Sequence, residues 1–242
     1  MRILILPLLI AAGPVAAQDA NDGNGIAFTL GLGASSTPDY FGSENSSVGV
    51  TGSFAPESFQ FGSLGFGRDG NDAGGFGLKG SFRYVGARKA ADNPELAGLA
   101  DLDASLEVGG GFSYATDIAD IYAVGRYGVV GHEGFVGEIG GDLIMHPNAR
   151  SELRVGPRVF CGDDTYAGTY FGSSLTGYTA TGGMLSRGIE ASISYDVTDD
   201  WGIVGTVNYD ELLNDAARSP IVQTTDQFGV SLIVTRKVSW SF

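Results

Sequence analysis

The chain has 242 residues, with 28 Asp and Glu against 14 Lys and Arg, a net charge of −14. That balance argues against nucleic acid as a partner, because phosphate backbones are held by clustered Lys and Arg. Glycine is abundant at 39 residues, beside 14 Phe, 10 Tyr and two Trp. A mean hydropathy of +0.08 is far too low for a bundle of membrane helices but allows membrane strands, in which only every second residue must be apolar.

Met1 and Arg2 make a short positive start, residues 3–12 are an apolar run broken only by Pro7, and Val15, Ala16 and Ala17 supply small residues at the cleavage positions. Residues 1–17 therefore read as a secretory signal peptide cut after Ala17. Its apolar core is roughly half of the ~20 residues a membrane anchor needs. About 225 residues follow, enough for one large all-β domain or two small ones. Residues 18–25 (QDANDGNG) are expected to be a disordered polar leader, and residues 26–242 the folded domain.

Beyond the leader, apolar and polar residues alternate, the period of a strand that turns successive side chains to opposite faces. Residues 26–36 set Phe28, Leu30 and Leu32 against Thr29, Gly31 and Gly33, and residues 37–47 have turn chemistry throughout. Val48, Val50 and Phe54 mark a second strand ending at Pro56. Residues 59–66 make a weaker third, followed by a loop at 68–72. Residues 74–85 carry Phe76, Leu78, Phe82 and Tyr84 on one face, with Lys79, Ser81 and Arg83 on the other. The polar connection 86–102 is expected to hold a short helical turn near 94–99. Strands follow at 103–114, 121–130, 135–145 and over Leu153 to Cys161, joined by tight turns after Tyr114 and Met145 that look periplasmic. Residues 166–171 read as a short aromatic strand. Ile189 to Tyr195 and Trp201 to Tyr209 form two more strands, and a polar connection over 210–224 leads to the last one.

That last strand, 228–242, organises the rest. Phe228, Val230, Leu232, Val234, Val238, Trp240 and Phe242 share one face, and the alternation runs to a terminal phenylalanine. Such an ending suits a strand that closes a membrane barrel, with Trp240 and Phe242 at the lipid–water interface and read as an assembly signal. Arg236 breaks the apolar face, where a mid-bilayer arginine costs roughly 2–4 kcal/mol. Either a bulge or the end of the lipid-facing part is expected there. The whole reads as an all-β chain, a single transmembrane antiparallel β-barrel of about twelve strands. Ten strands are possible, and the tight turns fit an even number only if one weak early segment does not span.

In a barrel the charged faces look inward. Lys79, Arg83, Arg126, Arg154 and Arg158 would meet Glu107, Glu138, Asp142, Glu152 and Glu190 there, so the lumen is expected to be crossed by ion pairs. Roughly twelve strands also make a narrower bore than the 16–18-stranded porins.

Catalytic and metal motifs are weak. Two GxGxxG matches at 65–70 and 75–80 lack the strand-to-helix context of a phosphate cradle. His132 in a GHEG turn and His146 before Pro147 are expected to be solvent-exposed turn residues, without a third ligand for zinc or a positioned nucleophile. Cys161 is alone and reads as a small apolar residue. No cofactor, no metal and no enzyme activity are expected. At the rim, Asp39 with Tyr40, and Asp163 and Asp164 with Tyr166, are candidates for a binding patch, or else for turn-stabilising carboxylates and interface aromatics.

Four blocks, TPDYFGSE (37–44), LAGLADLDASLEVGGGFSY (96–114), GDDTYAGTYFG (162–172) and ELLNDAARSPIV (211–222), resemble the MipA/OmpV family of outer-membrane proteins. The likeness spans the mature chain with the blocks in order. It departs at the end, where the family closes on Tyr-Arg-Phe and this chain on Trp-Ser-Phe. The resemblance implies a Gram-negative outer-membrane protein, assembled by the barrel-assembly machinery. It also implies a scaffold that links a murein lytic transglycosylase to a murein synthase, or alternatively a narrow porin-like channel.

Overall fold

The computed structural model describes residues 24–61, 64–67 and 75–241. The expected signal peptide and most of the expected polar leader (1–23), residues 62–63 and 68–74, and Phe242 lie outside the described residues. Eleven strands are found among those described: β1 (Gly25–Pro38), β2 (Ser46–Phe61), β3 (Leu64–Gly67), β4 (Gly75–Val85), β5 (Ser105–Ala115), β6 (Ala119–Val130), β7 (Phe135–Asn148), β8 (Ser151–Gly162), β9 (Gly183–Asp196), β10 (Trp201–Leu212) and β11 (Asp226–Ser241). Ten are long. β3 has four residues, so the weak early segment does not span and an even barrel results.

All eleven belong to one antiparallel sheet in the order β3-β2-β1-β11-β10-β9-β8-β7-β6-β5-β4. The ends of that order, β3 and β4, lie against each other, and the sheet curls into a cylinder. β1 pairs with β11 from Gly25↔Ser241 to Ser36↔Val230, joining the first strand to the last. Short turns at 116–118, 149–150 and 197–200 gather at one end of the cylinder. The connections at 39–45, 86–104, 163–182 and 213–225 gather at the other, the loop end.

The alternation of the sequence becomes the two faces of the wall. Val50, Phe76, Leu78, Phe135, Ile139, Leu143 and Leu232 are all well exposed on the outside, Phe76 to 80%. A continuous apolar surface of this kind is far larger than a soluble monomer shows and suits a bilayer. Exposed aromatics bound it in two belts. Phe76, Tyr114, Tyr195, Trp201 and Trp240 lie towards the tight-turn end, and Tyr84, Tyr127, Phe135, Tyr209 and Phe228 towards the loop end. From Phe76 to Tyr84 along β4 is about 27 Å at the rise of a strand, near the height of the apolar band such barrels present.

Arg236 needs no bulge. β11 pairs with both neighbours without a break in register there. Arg236 stands opposite Trp201, the first residue of β10, with its guanidinium 5.2 Å from the ring centroid. The lipid-facing part of β11 ends at that level, in the aromatic belt, where a cation over an indole is tolerated.

Residues 166–171 are not a strand. They lie in α1 (Asp164–Phe171), and a second short helix, α2 (Asn214–Arg218), follows β10. Asp163 caps α1, its Oδ1 accepting the Tyr166 N–H at 2.8 Å. Helical spacing then puts Tyr166 and Tyr170 on the same buried face as Ala167 and Phe171. A single 3-10 turn at Pro94–Leu96 is the helical turn expected in the second long connection.

Candidate functional site

The interior is built by the inward residues of β4 to β8. Arg83 on β4 stands directly across from Glu107 on β5, and Arg126 on β6 reaches the same carboxylate, Nε to Oε2 at 3.0 Å. Arg126 also donates from Nη1 to Ser81 Oγ at 2.9 Å and from Nη2 to Glu138 Oε2 at 3.0 Å. Arg83 lies 3.8 Å from Glu107 and donates to the Tyr166 hydroxyl at 2.9 Å. Tyr122 completes the layer by donating to Glu138 Oε1 at 2.7 Å. Glu107 is fully buried and Arg126 nearly so. Charges this far from water are sustained only by such a closed set of partners.

Below it, towards the tight turns, lies a wetter layer. Asp120 bridges Lys79 and Arg154, each at 3.5 Å. Arg154 pairs with Glu152 at 2.6 Å, and Glu152 with the half-exposed His146 at 3.1 Å. Arg158 lies within ion-pair distance of Asp142 (2.8 Å) and Glu190 (3.0 Å). Nine inward charges named from the sequence (Lys79, Arg83, Glu107, Arg126, Glu138, Asp142, Arg154, Arg158 and Glu190) thus fall into three ion-paired groups, centred on β4 to β8 and reaching β9 through Glu190.

The opposite side is lined differently. Inward positions of β9 to β11 and of β1 and β2 are mostly small, among them Ser192, Ser194, Thr206, Ser231, Thr235, Gly31, Thr51 and Ser53, with Glu190, Asn208 and Asp210 towards the loop end. Small hydroxyl residues therefore face the charged wall.

His132 overturns its expected place. It is 5% exposed rather than solvated, with its ring folded in beneath α1. The Gly134 N–H donates to Nδ1 at 2.9 Å, so the ring proton sits on Nε2, 3.3 Å from Glu107 Oε1. Tyr166 and Tyr170 meet the ring at 4.9 and 5.6 Å between centroids. Gly128 gives it room, since a Cβ there would lie 2.6 Å from His132 Cε1. Gly128→Val is expected to destabilise the folded barrel by about 1–3 kcal/mol through overpacking, read as a lower temperature for loss of the fast-migrating, unboiled gel band. His146 is exposed as expected, but it lies within β7, just before the turn at 149–150 rather than in a turn.

The loop end is closed by a plug. Tyr166, Ala167, Tyr170 and Phe171 of α1 pack with Val136, Leu185, Leu212 and Ala216, and Phe41 stands edge-on to Tyr170 at 5.2 Å. Tyr170 donates to Ser105 Oγ at 2.8 Å. Of the rim candidates, Asp163 ties α1 to β7 by accepting the Phe135 N–H at 2.8 Å. Asp164 accepts the Gly182 N–H at 2.7 Å, and Tyr166 reaches down to Arg83. Tyr40 is buried against Leu96 and Ile221. Its hydroxyl is within hydrogen-bond distance of Glu95 Oε1 (3.0 Å) and the Ile221 carbonyl (3.1 Å). Burial and the Glu95 carboxylate hold that hydroxyl well above its ordinary pKa. Asp39 sits in the neighbouring turn, where its N–H donates to the Asn45 carbonyl at 3.0 Å. These residues come together as parts of the plug and its loops, with Tyr40 some way from the Asp163–Tyr166 group in the fold's contacts.

Asp215 fastens α2 to the loop after α1. It accepts from the Thr181 N–H at 2.9 Å, from the Thr181 hydroxyl and from Arg218. These bonds hold its carboxyl at about 2, below the ordinary 3.8. The folded value lies below the unfolded one, so the contribution is complete above about pH 4 and is lost as pH falls towards 2. Proteolysis within 172–182 is expected to accelerate over that window, and Asp215→Ala to accelerate it already at neutral pH.

Sequence reading passed over Asp120, Tyr122 and Arg88. The first two share the alternation that placed Arg126 inside, since 120, 122, 124 and 126 fall on one face. Among the described residues no group of three His, Cys, Asp or Glu could hold a metal ion.

Three solved structures show a limited likeness to this chain. An outer membrane channel from Pseudomonas putida F1 is 13% identical with a TM-score of 0.46, over 94% of this chain and 100% of that one. Neisserial surface protein A is 8% identical with a TM-score of 0.29, over 88% and 97%. The Pseudomonas putida toluene transporter TodX is 11% identical with a TM-score of 0.34, over 92% and 90%. No curated protein matches the chain. A sequence profile described as MltA-interacting protein MipA matches residues 30–238, from within β1 to within β11, and the chain therefore belongs to the MipA family.

Proposed function

We propose that this barrel is a non-enzymatic scaffold that gathers murein-remodelling enzymes at the periplasmic rim of the outer membrane. The observation that carries the reading is the filled interior. Glu107, Arg126 and Arg83 span one wall in a buried network, and α1 stops the loop end above them, so the molecule meets partners at its two ends. The family description names an interaction with MltA for relatives. The partners fitting this reading are a murein lytic transglycosylase and a murein synthase, with lipid around the wall and the barrel-assembly machinery recognising the strand that carries Trp240 and Phe242. The tight-turn end, taken as periplasmic, presents carboxylates at Asp117, Asp196, Asp199 and Asp200. Folded protein in detergent, passed as bait through a periplasmic extract, is expected to retain murein enzymes. Recovery of none counts against the scaffold.

A narrow channel is the second reading, favoured by the wet lower layer. Lys79 and Glu190 each keep 37% of their side chains accessible, Lys79 on the charged wall and Glu190 beside the small hydroxyl residues of β9. Conduction then requires α1 to move. Wild-type protein in a planar bilayer is expected to be silent under the scaffold reading. Openings that change when Arg126 or Glu138 is replaced by Ala would favour the channel.

A further inference from the structure

One arginine stands apart from the interior networks. Arg88 lies in the loop between β4 and β5, clamped by backbone hydrogen bonds in both directions with Leu102 (2.9 and 2.8 Å). Its side chain is more than nine-tenths buried and donates from Nη1 to the Tyr170 carbonyl of α1 at 3.2 Å. Arg83, Arg126 and Arg158 all meet carboxylates, whereas Arg88 has none within 4.0 Å among the described residues. The hydroxyls of Tyr40 and Tyr170 are its electrostatic neighbours, and burial pulls its guanidinium below the ordinary value. The nearby Glu95 carboxylate faces Tyr40. A buried guanidinium with a carbonyl for a partner and no counter-charge is an expensive arrangement.

Arg88 also borders an open cleft of about 420 Å³ between its own loop and the segment that runs through and beyond α1. That is the size of a small-ligand site. Its other walls include Leu102, Thr169, Ser174 and Tyr178. A Cβ at Gly168 or Gly177 would enter empty space, so the backbone on that side is open to an occupant. The guanidinium fork matches a carboxylate or a phosphate. Ser174 can donate to or accept from a polyol, the Thr169 and Tyr178 hydroxyls, which donate to the Thr165 and Asp215 carbonyls at 2.8 Å, can accept from one, and Leu102 offers an apolar surface to the C–H face of a ring.

We propose that this cleft binds an anionic sugar, with its carboxylate or phosphate on Arg88 and its hydroxyls on Thr169, Ser174 and Tyr178. The site lies in the loops, above the plug and outside the interior networks, and is independent of the scaffold reading.

Folded protein in detergent micelles tests it, with glucuronate, glucose 1-phosphate and glucose at matched ionic strength and the unfolding temperature as readout. Both anionic sugars are expected to raise that temperature with the logarithm of their concentration above the dissociation constant, by about 3–6 °C at a tenfold excess over it, while glucose and added chloride do not. The stronger of the two anionic sugars tells which anion the fork prefers. Arg88→Gln is expected to weaken the effect at least tenfold in concentration. Because Arg88 also clamps its loop, Ser174→Trp serves as the second variant. It fills the mouth of the cleft from an exposed position, and is expected to abolish the shift without altering the unfolding temperature of the free protein. No shift with either anionic sugar beyond that given by glucose and chloride, or an equal shift in wild type and both variants, overturns the proposal.

Discussion

Glu107→Ala is expected to cost about 3–5 kcal/mol, the penalty for leaving buried charges without their partner. Glu107 is fully buried and takes contacts from three cationic or donor groups: Arg126 at 3.0 Å, Arg83 at 3.8 Å and His132 at 3.3 Å. Removing it leaves the guanidinium groups of Arg83 on β4 and Arg126 on β6 without the carboxylate that sits between them on β5. Equilibrium unfolding by urea from detergent, followed by the heat-modifiable band or tryptophan fluorescence, measures the loss. Replacing the pair is a separate case. Glu107→Ala combined with Arg126→Met removes the charge together with its strongest partner, and is expected to lose less than the two single changes added. Additive losses would mean the network is not the coupled unit drawn above. Surface pairs such as Lys237 with Asp196, half-exposed at 3.4 Å, are expected to matter by no more than about 1 kcal/mol.

The second large effect concerns the plug. Tyr166 is 1% exposed, and its ring stacks against Phe160, Tyr170 and His132 at centroid distances of 5.4, 4.7 and 4.9 Å. Tyr166→Ala removes this aromatic centre and is expected to cost about 3–5 kcal/mol. Tyr166→Phe keeps the ring, loses the bond from Arg83, and is expected to cost about 1–3 kcal/mol. The location of the damage distinguishes this from a general core defect. α1 hangs from loops rather than from the sheet ladder, so Tyr166→Ala is expected to expose residues 163–182 to protease while the strands stay protected and the band stays heat-modifiable. Loss of the band together with loop protection would place Tyr166 in the barrel's folding core instead.

What the sequence disclosed was what period two can disclose. Every long strand from β4 onward showed as alternation, because one face had to be apolar for lipid and the other carried charge. The same alternation put Arg83, Glu107 and Arg126 on one side before any contact was known. Alternation says nothing about which charge touches which. Arg126 meets Glu138 on the adjacent strand, but Arg83 meets Tyr166 in α1, 83 residues away. The aromatic run in α1 misled, since the six residues YAGTYF (166–171) fit a short strand as well as one and a half turns of helix. The deciding feature was the Asp163 cap, whose second oxygen is fixed by β7. His132 misled for a related reason. A GHEG tetrapeptide is a turn by its local chemistry, and only the return of α1 over that turn buries the ring. Arg88 was invisible because its isolation is a property of the folded loops, not of its neighbours in sequence.

The central claim is that the apolar face of the cylinder meets lipid and the charged face looks inward. The two tryptophans of the chain, Trp201 and Trp240, both lie on the outer face within one aromatic belt. Quenching of their fluorescence in proteoliposomes by lipids brominated at successive acyl positions tests the claim most directly. The account predicts strong quenching that is greatest for bromines nearest the headgroups, retained through Trp240 in the variant Trp201→Phe. Fluorescence indifferent to brominated lipid, with the protein monodisperse in plain buffer, would contradict it.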